Sequence, residues 1–160
     1  MDIRYVFGDA TTCSGDPTLG GGHIIAHVCN DRGAWGAGFT RSLSTRYPWA
    51  ETVYRTLKPA DLELGNIQIT PVDPGVYVAN MIAQDGLIGR DNRRPLNYAA
   101  LGECLNKLGK FAQAGGYAIH MPRIGCGLAG GDWMYVEKLV YDALVRRAVI
   151  TFVYDYNPEA

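Results

Sequence analysis

Apolar and polar positions along the chain fall into two periods, and the switches between them mark the elements. Ile3 to Phe7 reads as a strand that ends in Gly8-Asp9-Ala10-Thr11. Positions 13–22 mix Gly, Pro and Ser and read as a loop. His23 to Cys29 is apolar on both faces, the pattern of a strand in the middle of a sheet. Asn30-Asp31-Arg32-Gly33-Ala34-Trp35-Gly36-Ala37-Gly38 follows without periodicity. Phe39, Leu43 and Tyr47 share a helical face that Pro48 stops, and a second helical stretch runs from Pro48 to Leu57.

Ile67 to Val72 and Val76 to Ala83 read as two strands, with hairpin turn chemistry at Asp73-Pro74-Gly75. The polar stretch Gln84 to Arg94 leads through Pro95 into a long helix striped by Leu101, Leu105, Leu108, Phe111 and Ala112. Gly115-Gly116 ends it. Tyr117 to Met121 is a short buried strand, and Pro122 to Gly131 is a second glycine loop. Asp132 can cap a helix running to about Arg147, and Ala148 to Tyr154 is the last strand. Strands alternating with helices predict an α/β sheet covered by helices on both faces. Each glycine loop follows a strand and precedes a helix, the place where such sheets hold ligands.

The 160 residues fit one domain, spanning 1–160, and 48% apolar against 19% charged residues excludes intrinsic disorder. A formal charge of -1 argues against a nucleic-acid partner held by electrostatics. It leaves room for a small anion held by backbone amides. No stretch is long and apolar enough for a membrane span, and Met1-Asp2-Ile3-Arg4 runs into a strand with no signal-peptide core. Cys13, Cys29, Cys104 and Cys126 form no C-x-x-C pair, so neither a zinc site nor a disulfide framework is expected. A cytoplasmic monomer, bacterial in source, with no metal or other cofactor, is the expectation.

The first loop spaces its glycines G-x-x-G-x-G at Gly33, Gly36 and Gly38. The second reads Gly125-Cys126-Gly127-Leu128-Ala129-Gly130-Gly131. Glycine lets backbone approach a ligand, and a helix N-terminus offers unpaired N–H groups. Two such loops facing one cleft can hold a diphosphate without a lysine. Neither matches a P-loop or the dinucleotide-binding G-x-G-x-x-G.

Over nearly its whole length the sequence resembles a macro domain, the ADP-ribose-binding fold. The resemblance rests on His27-Val28-Cys29-Asn30, Trp35-Gly36-Ala37-Gly38-Phe39 and Met121-Pro122-Arg123-Ile124-Gly125-Cys126-Gly127-Leu128. It is closest to the terminal ADP-ribose protein glycohydrolase branch and to the yeast-type ADP-ribose 1''-phosphate phosphatases. It implies a three-layer α/β/α fold with a central mixed sheet. It also implies that Asp9, with Ala10 beside it, accepts the adenine amino group and that Tyr154 stacks near the adenine. Gly36 to Phe39 and Ile124 to Leu128, preceded by Arg123, would surround the diphosphate and distal ribose, and Asn30 would face that ribose. In the glycohydrolase branch a lysine nucleophile and an aspartate occupy the positions of Gln84 and Ala129. Glutamine cannot form the covalent intermediate that lysine can. Direct attack of water on the anomeric carbon is therefore the expected mechanism.

Individual residues carry two readings. His27 is either a buried, hydrogen-bonded histidine or an acid–base group. Trp35 either packs under the loop or lines the distal ribose. Asp31 and Asp85 are carboxylates near the loops; Asp31 is expected to contact the ligand, Asp85 can activate a water, and Gln84 can orient one. Asp132 is a helix cap. Cys126 sits where a thiol pKa can fall, but a small residue packed beside phosphate is the preferred reading. Arg90, Arg93 and Arg94 make a basic loop. Expected catalytic residues are thus Asn30, Asp85, Gln84 and His27. The expected partners are ADP-ribose and mono-ADP-ribosylated proteins, with hydrolysis of ADP-ribose from acidic side chains. A phosphatase acting on ADP-ribose 1''-phosphate and a non-catalytic ADP-ribose reader are the alternatives.

Overall fold

The structure, a computed structural model, describes residues 1–16, 19–36 and 38–156. Six strands and four helices follow in order: β1 (Arg4–Phe7), β2 (His23–Asn30), α1 (Phe39–Arg46), α2 (Pro48–Arg55), β3 (Ile67–Asp73), β4 (Val76–Gln84), α3 (Tyr98–Gly115), β5 (Ala118–Pro122), α4 (Trp133–Ala143) and β6 (Thr151–Asp155). The strands form one sheet in the order β1-β6-β5-β2-β4-β3. All neighbours are parallel except β3 and β4, joined by the hairpin that Asp73-Pro74-Gly75 predicts, with Gly75 at φ +72°.

β2 lies inside the sheet, as its two-faced apolar pattern requires. Its Ile24 and Ala26 join Ala79, Met81, Ile119 and Met121 in the main core, closed by Leu101, Leu105 and Leu108 of α3 and by Val136 and Val140 of α4. Ile25 faces the other way, onto Leu43 of α1 and Ala50 of α2. The side-chain period of two thus gives one strand two cores and makes three layers. Fully burying each Leu or Ile contributes roughly 1.5–3 kcal/mol.

Cap chemistry sets the helix ends. Asp132 accepts from the Met134 N–H at 3.0 Å, and Asn97 accepts from the Ala100 N–H at 2.9 Å. Gly116, at φ +69°, ends α3. The last helix is shorter than its stripe predicts: it stops at Ala143, a 3-10 turn covers Val145–Arg147, and Ala148 sits at φ +60°. The final strand therefore starts at Thr151 rather than Ala148. Among the described residues no helix is long and apolar enough to cross a membrane, and no group of His, Cys, Asp or Glu could hold a metal ion.

Candidate functional site

Because five strands run parallel, their carboxyl ends share one edge of the sheet. Gly8 and Asp9 follow β1 there, the first glycine loop follows β2, Asp85 follows β4, and the second glycine loop follows β5. β2 and β5 are neighbours, yet the chain leaves β2 toward β4 and leaves β5 toward β6. That reversal opens a crevice beyond the strand ends. The two glycine loops leave the sheet on either side of that reversal.

Asp9 is oriented by its own turn. Its Oδ1 accepts from the Thr11 N–H at 2.9 Å and the Thr11 hydroxyl at 2.8 Å. Arg46 Nε donates to that same hydroxyl oxygen at 3.2 Å. A cleft of about 540 Å³ opens at Asp9 and runs onto the polar face of α1, lined by Thr11, Arg41, Ser42, Thr45 and Arg46. Ala10 is buried in the adjoining 3-10 turn.

Asn30 builds the first loop from inside. Its Oδ1 accepts from the N–H groups of Arg32 and Ala34 and from the Tyr54 hydroxyl, and its Nδ2 donates to the Ala34 carbonyl at 2.6 Å. The residue is 5% exposed. An irregularity between Cys29 and Asn30 sets Asn30 opposite Gln84. Asp31 ties the β2 and β4 ends together: its N–H donates to the Gln84 carbonyl, and its Oδ1 accepts from the Gly86 N–H at 2.8 Å. Gln84 Nε2 donates to the Gly86 carbonyl at 3.2 Å. Asp85 is exposed at the rim.

His27 lies in the core. It is 2% exposed and bonded through Nε2 to Asn80 Oδ1, and its ring meets Trp35 and Phe39. Burial pulls its pKa down to about 4, against a smaller upward pull from Asn80. A neutral imidazole closed in the sheet is a support for the loop, not the acid–base group expected of it. Trp35 resolves toward packing: its ring leans on His27 and Tyr54, and its Nε1 donates to the Thr40 carbonyl.

Two further expectations change. Tyr154 is 3% exposed; its hydroxyl accepts from the Gly15 N–H at 2.7 Å and meets His120 Nδ1 at 2.7 Å. So buried, it ties the 13–16 segment to the sheet instead of offering an open ring face. Tyr156, just past β6, and Phe7, at the end of β1, are exposed aromatics, 70% and 80% respectively. Arg123 forks onto Asp155 at 2.6 and 3.1 Å and lies over the Tyr5 and Trp133 rings. These bonds commit its guanidinium to Asp155 at the base of the second loop.

The glycines divide by their surroundings. Gly125 has φ +70°, and a Cβ there would meet Leu96 at 2.8 Å, so it is required by packing. Gly38 and Gly127 face open space and leave backbone free for close approach. Ile124 is buried, whereas Leu128 is 55% exposed. Burial pushes the Cys126 thiol up to about 11, which keeps it protonated and agrees with a packing role. Ala37 lies outside the described residues.

No family model matches the chain. It is 40% identical to a macrodomain protein from Streptomyces coelicolor of known structure, over 98% of this chain and 100% of that one, with a TM-score of 0.80. It is 35% identical to the chromodomain-helicase-DNA-binding protein 1-like of Danio rerio over 97% of its own residues, but spans only 16% of that protein's length. An ADP-ribose 1''-phosphate phosphatase from Lodderomyces elongisporus is 28% identical over 88% of this chain and 91% of its own.

Proposed function

The chain belongs to the macro domain family, and on that premise we propose that it binds ADP-ribose along the crevice and hydrolyses it from acidic side chains of mono-ADP-ribosylated proteins. The observation that carries this reading is the meeting of Asp9, both glycine loops and Asp85 at one sheet edge. Asp9 keeps Oδ2 for the adenine amino group while Thr11 holds Oδ1. The open backbone at Gly38 and Gly127 takes the diphosphate. The distal ribose then lies over the β2 and β4 ends, beside Asp85.

In this reading water attacks the anomeric carbon of the distal ribose. Asp85 accepts the water's proton, the bond from that carbon to the protein carboxyl oxygen breaks, and its electron pair leaves with the carboxylate. The products are ADP-ribose and a free acidic side chain. A lysine-type covalent route has no support here. Gln84 carries an amide, and Ala129 is buried without a carboxylate. A time course on a protein mono-ADP-ribosylated on glutamate tests the proposal. ADP-ribose should be released, and Asp85→Asn should bind ADP-ribose while losing release. Binding without release by the native chain would leave the reader and the phosphatase.

The fungal phosphatase relatives favour a second reading, since this chain spans 91% of one of them. Inorganic phosphate released from ADP-ribose 1''-phosphate, with no release from the modified protein, would decide for it.

A further inference from the structure

Among the described residues one buried side-chain oxygen has no hydrogen-bond partner, the hydroxyl of Thr40. Thr40 is 9% exposed and is the second residue of α1. Its carbonyl is engaged, accepting from Trp35 Nε1 at 3.2 Å and from the Ser44 hydroxyl at 3.0 Å. The residue is therefore held while its hydroxyl stays idle. A helical threonine usually satisfies its hydroxyl on a carbonyl one turn back. Here one turn back is the first glycine loop, not helix.

An orphaned buried hydroxyl is costly, and a methyl of the same shape would remove the cost. The surroundings indicate what would partner it. No side chain caps α1, since Gly38 has none to offer, and no acidic residue stands in its first turn. The α1 N-terminus carries helix-end N–H donors, of which that of Arg41 is taken by the Gly38 carbonyl at 3.1 Å. Thr40 Oγ1 lies 3.6 Å from where a Cβ on Gly36 would stand, so no Gly36 side chain separates the hydroxyl from the loop. The helix end thus presents donors. A sugar hydroxyl would need acceptors as well, whereas a phosphate needs donors alone.

We propose that the Thr40 hydroxyl donates a hydrogen bond to a phosphate oxygen of the bound nucleotide, beside the first-turn N–H groups of α1. The assignment rests on the ADP-ribose reading of the crevice and names a side chain within it that binds phosphate. Calorimetry with ADP-ribose and ADP, ligand-observed NMR with adenosine, and thermal unfolding would be compared for the native chain, Thr40→Val and Thr40→Ser. Thr40→Val should weaken ADP-ribose and ADP about tenfold, the worth of a hydrogen bond to a charged group. It should leave adenosine unchanged and Tm equal or higher, and Thr40→Ser should keep native affinity. Native affinity in Thr40→Val overturns the assignment and leaves the ADP-ribose reading intact. Equal weakening of adenosine, or a lowered Tm, marks a structural role and also overturns it. A native chain that does not bind ADP-ribose overturns the underlying reading, and the assignment falls with it.

Discussion

Asp9 can be tested so that folding and recognition separate. One carboxylate oxygen, Oδ1, caps the 3-10 turn through the Thr11 N–H at 2.9 Å and the Thr11 hydroxyl at 2.8 Å. The other is assigned to the adenine amino group. Asp9→Asn keeps an acceptor toward Thr11 but turns an NH2 toward the ligand, so two donors meet. Loss of one hydrogen bond to a charged acceptor is worth about 1.5–3 kcal/mol, which is roughly 10- to 150-fold in Kd. Asp9→Ala removes the cap as well, for about 1 kcal/mol of stability. Calorimetry with ADP-ribose beside thermal unfolding reads both quantities. The expected result is a weak-binding Asp9→Asn with native Tm and a weak-binding Asp9→Ala with lowered Tm. Native affinity in Asp9→Asn would remove Asp9 from the adenine contact.

Other outcomes follow from the same geometry. Asn30→Ala strips the loop of three side-chain bonds, to Arg32 and twice to Ala34, while the Tyr54 hydroxyl keeps its 2.7 Å bond to the residue 30 carbonyl; at about 1 kcal/mol each, discounted for partial solvation, urea unfolding should show a loss of roughly 2 kcal/mol. His27 titrates near 4 in the fold against 6.5 in the unfolded chain, so its contribution is complete above pH 6.5 and is lost as pH falls through 4. At about 1.4 kcal/mol per pH unit that is on the order of 3 kcal/mol. His27→Gln should flatten this part of the stability–pH curve, and an unchanged curve would refute the assignment. Arg123→Ala breaks a pair whose side chains are 42% and 35% exposed, so it should cost no more than about 1 kcal/mol. It should leave ADP-ribose affinity unchanged in the same calorimetry, and a large loss would restore Arg123 to the ligand site.

Element order, the central place of β2 and the hairpin at Asp73-Pro74-Gly75 were legible in the sequence. They depend on local periodicity and turn chemistry, which a linear pattern records. The glycine loops were legible as loops, and the resemblance attached them to ADP-ribose. Which glycines face open space was not legible. Gly125 is needed because Leu96, 29 positions away in sequence, packs against it, while Gly127 two residues on is free.

Tertiary structure alone revealed the partners of His27, Tyr154 and Arg123. Their side chains are equally suited to ligands or to neighbours, and the neighbours come from distant strands: Asn80 for His27, Gly15 and His120 for Tyr154, Asp155 for Arg123. It also exposed the idle hydroxyl of Thr40, which no sequence pattern marks. The sequence by itself determined where strands end and loops begin, because secondary structure is set by neighbours along the chain. The parallel pairing that brings five of those ends to one edge, and the partners that each polar group finds there, arise only when the sheet closes.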